Sequence, residues 1–179
     1  MSGSWNAYMT EMTASAVLDF IDLMEARGIR IWLDGGWAVD ACLGSQTRSH
    51  ADLDIVIEAR HLDLAVSTLR ALGYRPAPRD DTRLWNFAMG DPEGHEIDFH
   101  VIVLDESGRG IYGPPEDGDL YPAEALAGTG TVEGRAVVCI SPEYLVKFHT
   151  GYALHETDRA DVSALCEKFG IPLPAEYQT

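Results

Sequence analysis

At 179 residues with 46% hydrophobic side chains, the chain suits one domain, or a domain with a small appendage, and can bury a sizeable core. Its formal net charge of −16, with 13 scattered basic residues, excludes a nucleic-acid partner, because holding a phosphate backbone needs a basic surface. No apolar run reaches the ~18 residues of a membrane span, Met1 to Thr13 lacks a basic, apolar leader, and the three cysteines have no metal-binding spacing; no membrane partner and a cytoplasmic location with reduced thiols are expected.

The polar start of the chain, with Trp5 and Tyr8, reads as a loose arm or an extra helical turn. Val17, Phe20, Ile21 and Met24 then recur at helical spacing, predicting an amphipathic helix over Ala14 to Arg27 that Gly28 ends. Ile29 to Leu33 alternates as a strand and runs into Asp34-Gly35-Gly36, after which Trp37 to Leu43 is a short helix closed by Gly44. Ser45 to His50 is a polar loop leading to a strand over Asp52 to Ile57. His61 to Leu72 is another amphipathic helix, stopped by Gly73.

Leu84 to Met89 and His95 to Val103 read as strands paired through the turn at Gly90 to Gly94. Asp105 to Gly130, rich in Gly, Pro and acids, is expected to be a long irregular excursion, and loops of that length are usually functional. Arg135 to Ile140 is the last strand. Ser141-Pro142-Glu143 opens a helix with a preferred cap, a first-turn proline and an acid against the dipole. A final helix runs from Thr157 to Phe169. The predicted fold is α/β (α+β): a mixed sheet with flanking helices over 1–140, then a helical tail over 141–179.

Two groups of residues carry chemistry. Asp52 and Asp54, two apart on a strand, project from one face about 6.5–7 Å apart at Cα, while Leu53, Ile55 and Ile57 face the other way. Such a pair can converge on one or two Mg²⁺ ions, a hard cation served by a few carboxylates together with substrate phosphates, and Asp98 in Glu96-Ile97-Asp98-Phe99 can complete the set. Gly35 and Gly36 lie where a strand turns into a helix, so a backbone can approach phosphates and helix N–H groups can receive them. A glycine pair alone is weak evidence, as is Asp-Leu-Asp. The combination describes a nucleotidyl-transfer site.

At these residues the chain resembles the nucleotidyltransferase superfamily typified by DNA polymerase beta, and more closely its antibiotic members. The stretches Trp32-Leu33-Asp34-Gly35-Gly36-Trp37-Ala38-Val39-Asp40 and Arg48-Ser49-His50-Ala51-Asp52-Leu53-Asp54 are similar to both lincosamide and aminoglycoside nucleotidyltransferases. Ile97-Asp98-Phe99-His100 and the later run from Cys139 through His149-Thr150-Gly151-Tyr152 to Asp161 match the lincosamide members alone. The resemblance implies transfer of a nucleoside monophosphate, AMP from ATP, onto a hydroxyl of a lincosamide-type antibiotic, with release of pyrophosphate. Asp52, Asp54 and Asp98 would be the catalytic and metal-holding set, for two Mg²⁺ ions; Asp98 would ligate the second ion, take the acceptor hydroxyl's proton, or both, with His100 the other candidate base.

Around that set, Gly35, Gly36, Trp37, Arg48 and His50 are candidates for the nucleoside triphosphate. Arg48 offers a fork suited to phosphate oxygens. His100, Trp85, His149 and Tyr152 are candidates for the acceptor, each with packing as the competing role. Asp34 and Asp40 read as residues that cap or orient the glycine turn. The overall acidity, and Glu116, Asp117 and Asp119 in the excursion, would suit a cationic small molecule. Three alternatives stay open: the same chemistry on an aminoglycoside or other hydroxylated acceptor, a non-catalytic nucleotide- or protein-binding module of the same fold, and a homodimer whose partner completes the acceptor cleft.

Overall fold

A computed structural model describes residues 10–178, so the expectation for the first residues of the chain lies outside the described part. Five helices and nine strands form a mixed sheet covered by helices: α1 Ala14–Glu25, β1 Ile31–Leu33, α2 Gly35–Leu43, β2 Asp52–Glu58, α3 Ala59–Ala71, β3 Arg75–Pro76, β4 Asn86–Gly90, β5 Glu96–Leu104, β6 Gly110–Tyr112, β7 Leu120–Tyr121, β8 Gly128–Val132, β9 Arg135–Cys139, α4 Pro142–Phe148 and α5 Glu156–Phe169. The sheet runs β3-β4-β5-β2-β1-β9-β8, with β6 beside β5 and β7 beside β6.

Two pairings are parallel, β2 with β5 and β1 with β9, and the rest antiparallel. The parallel pair at the centre is what the function uses. In β2 and β5, Leu53, Ile55, Ile97 and Phe99 are fully buried on one face. A side chain of this size contributes about 1.5–3 kcal/mol when buried, and a one-residue slip would expose the whole row, so register is fixed by the core. The residues between them are thereby held on the opposite face.

The excursion at Asp105 to Gly130 is more ordered than its composition indicates. Its middle forms β6 and β7, and single helical turns sit at Pro115–Asp117 and Ala125–Ala127. Strand β8, with its Gly-Thr-Gly-Thr start, pairs along all of β9 while α2 packs on it. Strands β6, β7 and β8 do not alternate strongly enough to be read from residues alone, whereas β9 lies where the pattern places it. Helix α2 also starts two residues earlier than the apolar pattern predicts, because Asp34 caps it by accepting the Gly35 N–H at 2.8 Å.

Helix α2 is the element that fixes the site, and it is held from several sides. The Trp37 indole is buried and donates its N–H to the Met12 carbonyl at 3.1 Å. Asp40, 2% exposed, accepts from the Thr47 hydroxyl at 2.6 Å and meets the His50 Nε2 at 2.6 Å, which ties α2 to the loop before β2. Burial opposes the charge on Asp40, but the hydrogen bonds from His50 and Thr47 outweigh it and hold the carboxyl below its ordinary range. Helices α4 and α5 pack against the same helix. Replacing His50 with leucine strands the buried carboxylate, and should cost on the order of 3 kcal/mol in urea-induced unfolding.

Candidate active site

The parallel register puts Asp52 beside Glu96 and Asp54 beside Asp98. Neighbours across a sheet share a face with Cα atoms about 4.8 Å apart, so these carboxylates cluster at the starting end of the central strand pair. The next pair along, Val56 and His100, extends the same face. Asp52, Asp54 and Asp98 therefore lie together, joined by Glu96, which belongs to the same alternation as Asp98.

Asp98 carries a buried, unpartnered oxygen: its Oδ2 accepts from the Arg79 guanidinium at 2.5 Å, while its buried Oδ1 has no partner. Burial raises the Asp98 pKa, and Arg79 opposes that rise incompletely. Asp54 is pushed up to about 7, first by burial and then by the charges of Asp52, Asp34 and Asp98, against the pull of His100. An all-oxygen donor set that includes an unpartnered buried carboxylate oxygen fits a hard divalent cation. Among the described residues, the group whose donor atoms already lie within 4.8 Å of one another is a different one, Asp91, Glu93 and His95 in the β4–β5 turn. There Asp91 accepts from the Glu93 and His95 backbone N–H groups and meets the His95 ring at 2.8 Å, a turn that satisfies itself.

The glycines owe their identity to space as well as to backbone approach. Gly35 has φ +54°, and a Cβ there would fall 2.2 Å from the Asp54 Oδ2; at Gly36 it would fall 2.5 Å from the His50 ring and 2.6 Å from the Arg48 guanidinium. The first turn of α2 thus lies directly against Asp54, with its N–H groups and positive dipole end at that side of the carboxylates.

Behind that turn, Asp34 works through both oxygens: Oδ1 caps α2, while Oδ2 accepts from the Tyr121 hydroxyl at 2.9 Å and faces His100 Nδ1 at 3.1 Å. The other ring nitrogen of His100 is 3.9 Å from Asp54 Oδ1. Burial alone would lower the His100 pKa, yet the hydrogen bond and charge of Asp34, helped by Asp54 and Asp98, raise it to about 9. His100 lines two clefts at once. One, of about 360 Å³, has aromatic walls from Tyr112, Tyr121 and Phe148, with His149 and Asp119. The other, of about 200 Å³, is polar and is bordered by Asp54, Asp98, Arg79 and Asn86.

Several candidates stand elsewhere than the residue pattern predicts. The Trp37 indole is core, and His50 is 4% exposed against it, so neither side chain lines the two clefts beside His100. Arg48 gives Nε and Nη2 to Asp161 at 3.3 and 2.8 Å, a bond from the loop to α5. Tyr152 follows the end of α4, is exposed and donates to Asp158, away from the aromatic cleft. Trp85 packs against Gly113, where a Cβ would sit 2.8 Å from its ring. His100 and His149 do line a cleft. The residues the pattern missed are Glu96, Tyr121 and Arg79. Glu96 was readable as the i−2 neighbour of Asp98, whereas Tyr121 and Arg79 arrive from segments with no local signal.

The geometry has known counterparts. A model of the family described as aminoglycoside-2''-adenylyltransferase matches residues 16–165. A lincosamide resistance protein of Staphylococcus haemolyticus is 31% identical over 157 residues, 86% of this chain and 94% of that protein. The crystal structure of the lincosamide antibiotic adenylyltransferase LnuA, lincomycin-bound, superposes with a TM-score of 0.77 at 30% identity, covering 91% of this chain and 100% of that one. The structure of ANT(2'')-Ia in complex with adenylyl-2''-tobramycin matches at a TM-score of 0.68 and 20% identity, over 88% of this chain and 89% of the other, a likeness of fold.

The Asp34–His100 pair makes stability depend on pH. Because His100 has a folded-state pKa near 9 against an ordinary 6.5, its contribution is complete below 6.5 and is lost as pH rises through 9. The melting temperature of the protein should therefore fall between pH 6.5 and 9 more steeply than that of His100→Gln, measured side by side across that range.

Proposed function

The chain belongs to the family of antibiotic nucleotidyltransferases that the aminoglycoside-2''-adenylyltransferase model describes, and from that premise we propose that it moves AMP from ATP onto a hydroxyl of a lincosamide-type antibiotic and releases pyrophosphate. The observation that carries the chemistry is the in-register set Asp52, Asp54 and Asp98 against the first turn of α2. The acceptor class rests on the breadth of the match to the lincosamide proteins, which spans almost the whole of both chains.

In this reading Asp52, Asp54 and Asp98 hold Mg²⁺. Bound there, the cation would neutralise charge developing at the α-phosphorus and on the leaving pyrophosphate. The first-turn N–H groups of α2 receive the triphosphate oxygens, and the space kept open by Gly35 and Gly36 lets them come close. Asp98 also takes the acceptor proton, a role supported by its place beside Asp54 and by the carboxyl's raised pKa. Protonated His100, anchored by Asp34, faces Asp54 from behind and holds it in place. The nucleoside and the acceptor divide the two clefts that flank these residues, with His100 and His149 as contacts in the aromatic one.

The same chemistry on an aminoglycoside is the second reading, favoured by the family model itself. A screen decides between them: protein, Mg²⁺ and each of the four common nucleoside triphosphates, with lincomycin or tobramycin, followed by pyrophosphate release and acceptor mass. Addition of one AMP to lincomycin is the expected result; product with tobramycin alone would move the assignment to the second reading. Asp52→Asn, Asp54→Asn and Asp98→Asn should each lower kcat by roughly 10²–10⁴-fold with an unchanged circular dichroism spectrum. Wild-type turnover in the Asp52 or Asp54 variant would remove the metal assignment.

A further inference from the structure

Arg79 lies in the loop between β3 and β4, outside every regular element. Its backbone N–H donates to the Thr82 hydroxyl at 2.8 Å, a local turn that brings the side chain over the carboxylate cluster. There the guanidinium fork spans two strand positions: Nη1 donates to Asp98 Oδ2 at 2.5 Å, Nη2 donates to Glu96 Oε2 at 2.5 Å, and Nη2 stands 4.0 Å from Asp52 Oδ2. The other guanidinium near α2, that of Arg48, is committed to Asp161.

Asp98 and Asp52 are two of the carboxylates assigned above to the divalent cation. With Arg79 on Asp98 Oδ2 and 4.0 Å from Asp52 Oδ2, a divalent cation held by the same two carboxylates would meet the guanidinium at contact distance, where the two positive charges repel each other. Both nevertheless answer one need, since carboxylates crowded on one sheet face require positive charge. The Arg79 side chain is 40% exposed and enters from a loop, so it can leave by rotating about its own bonds without repacking the core. Once out, a planar fork that fitted two carboxylates fits phosphate oxygens equally well.

We propose that Arg79 is a further working residue of this site: it neutralises Asp98, Glu96 and Asp52 until a divalent cation displaces it, and it then pairs with the phosphates of the incoming nucleotide. The proposal rests on the nucleotidyl-transfer reading of the carboxylates. A cation arriving alone must displace the guanidinium from Asp98 with no new anion to receive it, and so binds weakly. A cation arriving with a triphosphate gives the guanidinium a new anion, and each then strengthens the other's binding by the same factor.

The test is a Mn²⁺ titration of the full-length protein, following the free ion by electron paramagnetic resonance, with and without an ATP analogue whose α–β bridge resists cleavage. In Arg79→Met, Mn²⁺ alone should bind on the order of tenfold more tightly than in the unsubstituted protein, and the gain in Mn²⁺ affinity from the analogue should shrink by a similar factor. An arginine that only holds the loop would leave Mn²⁺ affinity unchanged or weakened, and either result overturns the proposal. Thermal unfolding in the same solutions keeps the test sound if the variant is less stable: Mn²⁺ should raise the Tm of Arg79→Met by more than that of the unsubstituted protein, and an equal shift overturns the proposal too. None of these readouts needs turnover. Unchanged affinity in a protein that still binds Mn²⁺ removes Arg79 alone, whereas no Mn²⁺ binding by either protein removes the carboxylate reading with it.

Discussion

Like charges forced onto one face of a parallel strand pair are the constraint around which this molecule is organised. Asp52, Asp54, Glu96 and Asp98 are neighbours because the register of β2 against β5 allows nothing else, and the buried rows on the opposite face hold that register. Burial and mutual repulsion both oppose ionisation, as the raised pKa values of Asp54 and Asp98 record. The surroundings answer that repulsion in three ways: a helix N-terminus in front, an imidazole held by Asp34 behind, and the Arg79 guanidinium across the cluster. A carboxylate cluster of this kind attracts cations because the fold leaves its charge incompletely balanced.

Much of the rest of the chain positions α2. Its capping residue, Asp34, also carries the hydrogen bonds that orient His100 and Tyr121, so one buried side chain couples the glycine turn to the back of the carboxylates and to the aromatic cleft. The loop before β2 is fastened twice, by His50 to Asp40 within the core and by Arg48 to Asp161 on α5. The C-terminal helices are thus linked to the site through packing on α2 and through that ion pair, which gives the helical tail a structural share in the geometry of the carboxylate cluster. The glycines at 35 and 36 show how close that packing is, since a single added carbon at either would meet the side chains they serve.

The sequence by itself determined the alternation that sends Asp52 and Asp54 to one face, the glycine turn between strand and helix, the helical periods of α1, α3 and α5, and through them the family. Those are local properties: a period of two or of 3.6 residues is written into the backbone wherever the chain goes. It also held Glu96 in plain view, two residues before Asp98. What it did not hold was where long-range partners land. Trp37 and His50 sit in the motif yet point into the core, because α2 must bury one side to be fixed at all. The acid-rich excursion became strands because β5 offered it an edge to pair with, and through β7 it delivered Tyr121 to Asp34. Arg79 reaches Asp98 from a loop 19 positions away. Which cations and hydrogen-bond donors meet the carboxylates is decided by the folding together of segments that carry no local mark of it, and that decision belongs to tertiary structure alone.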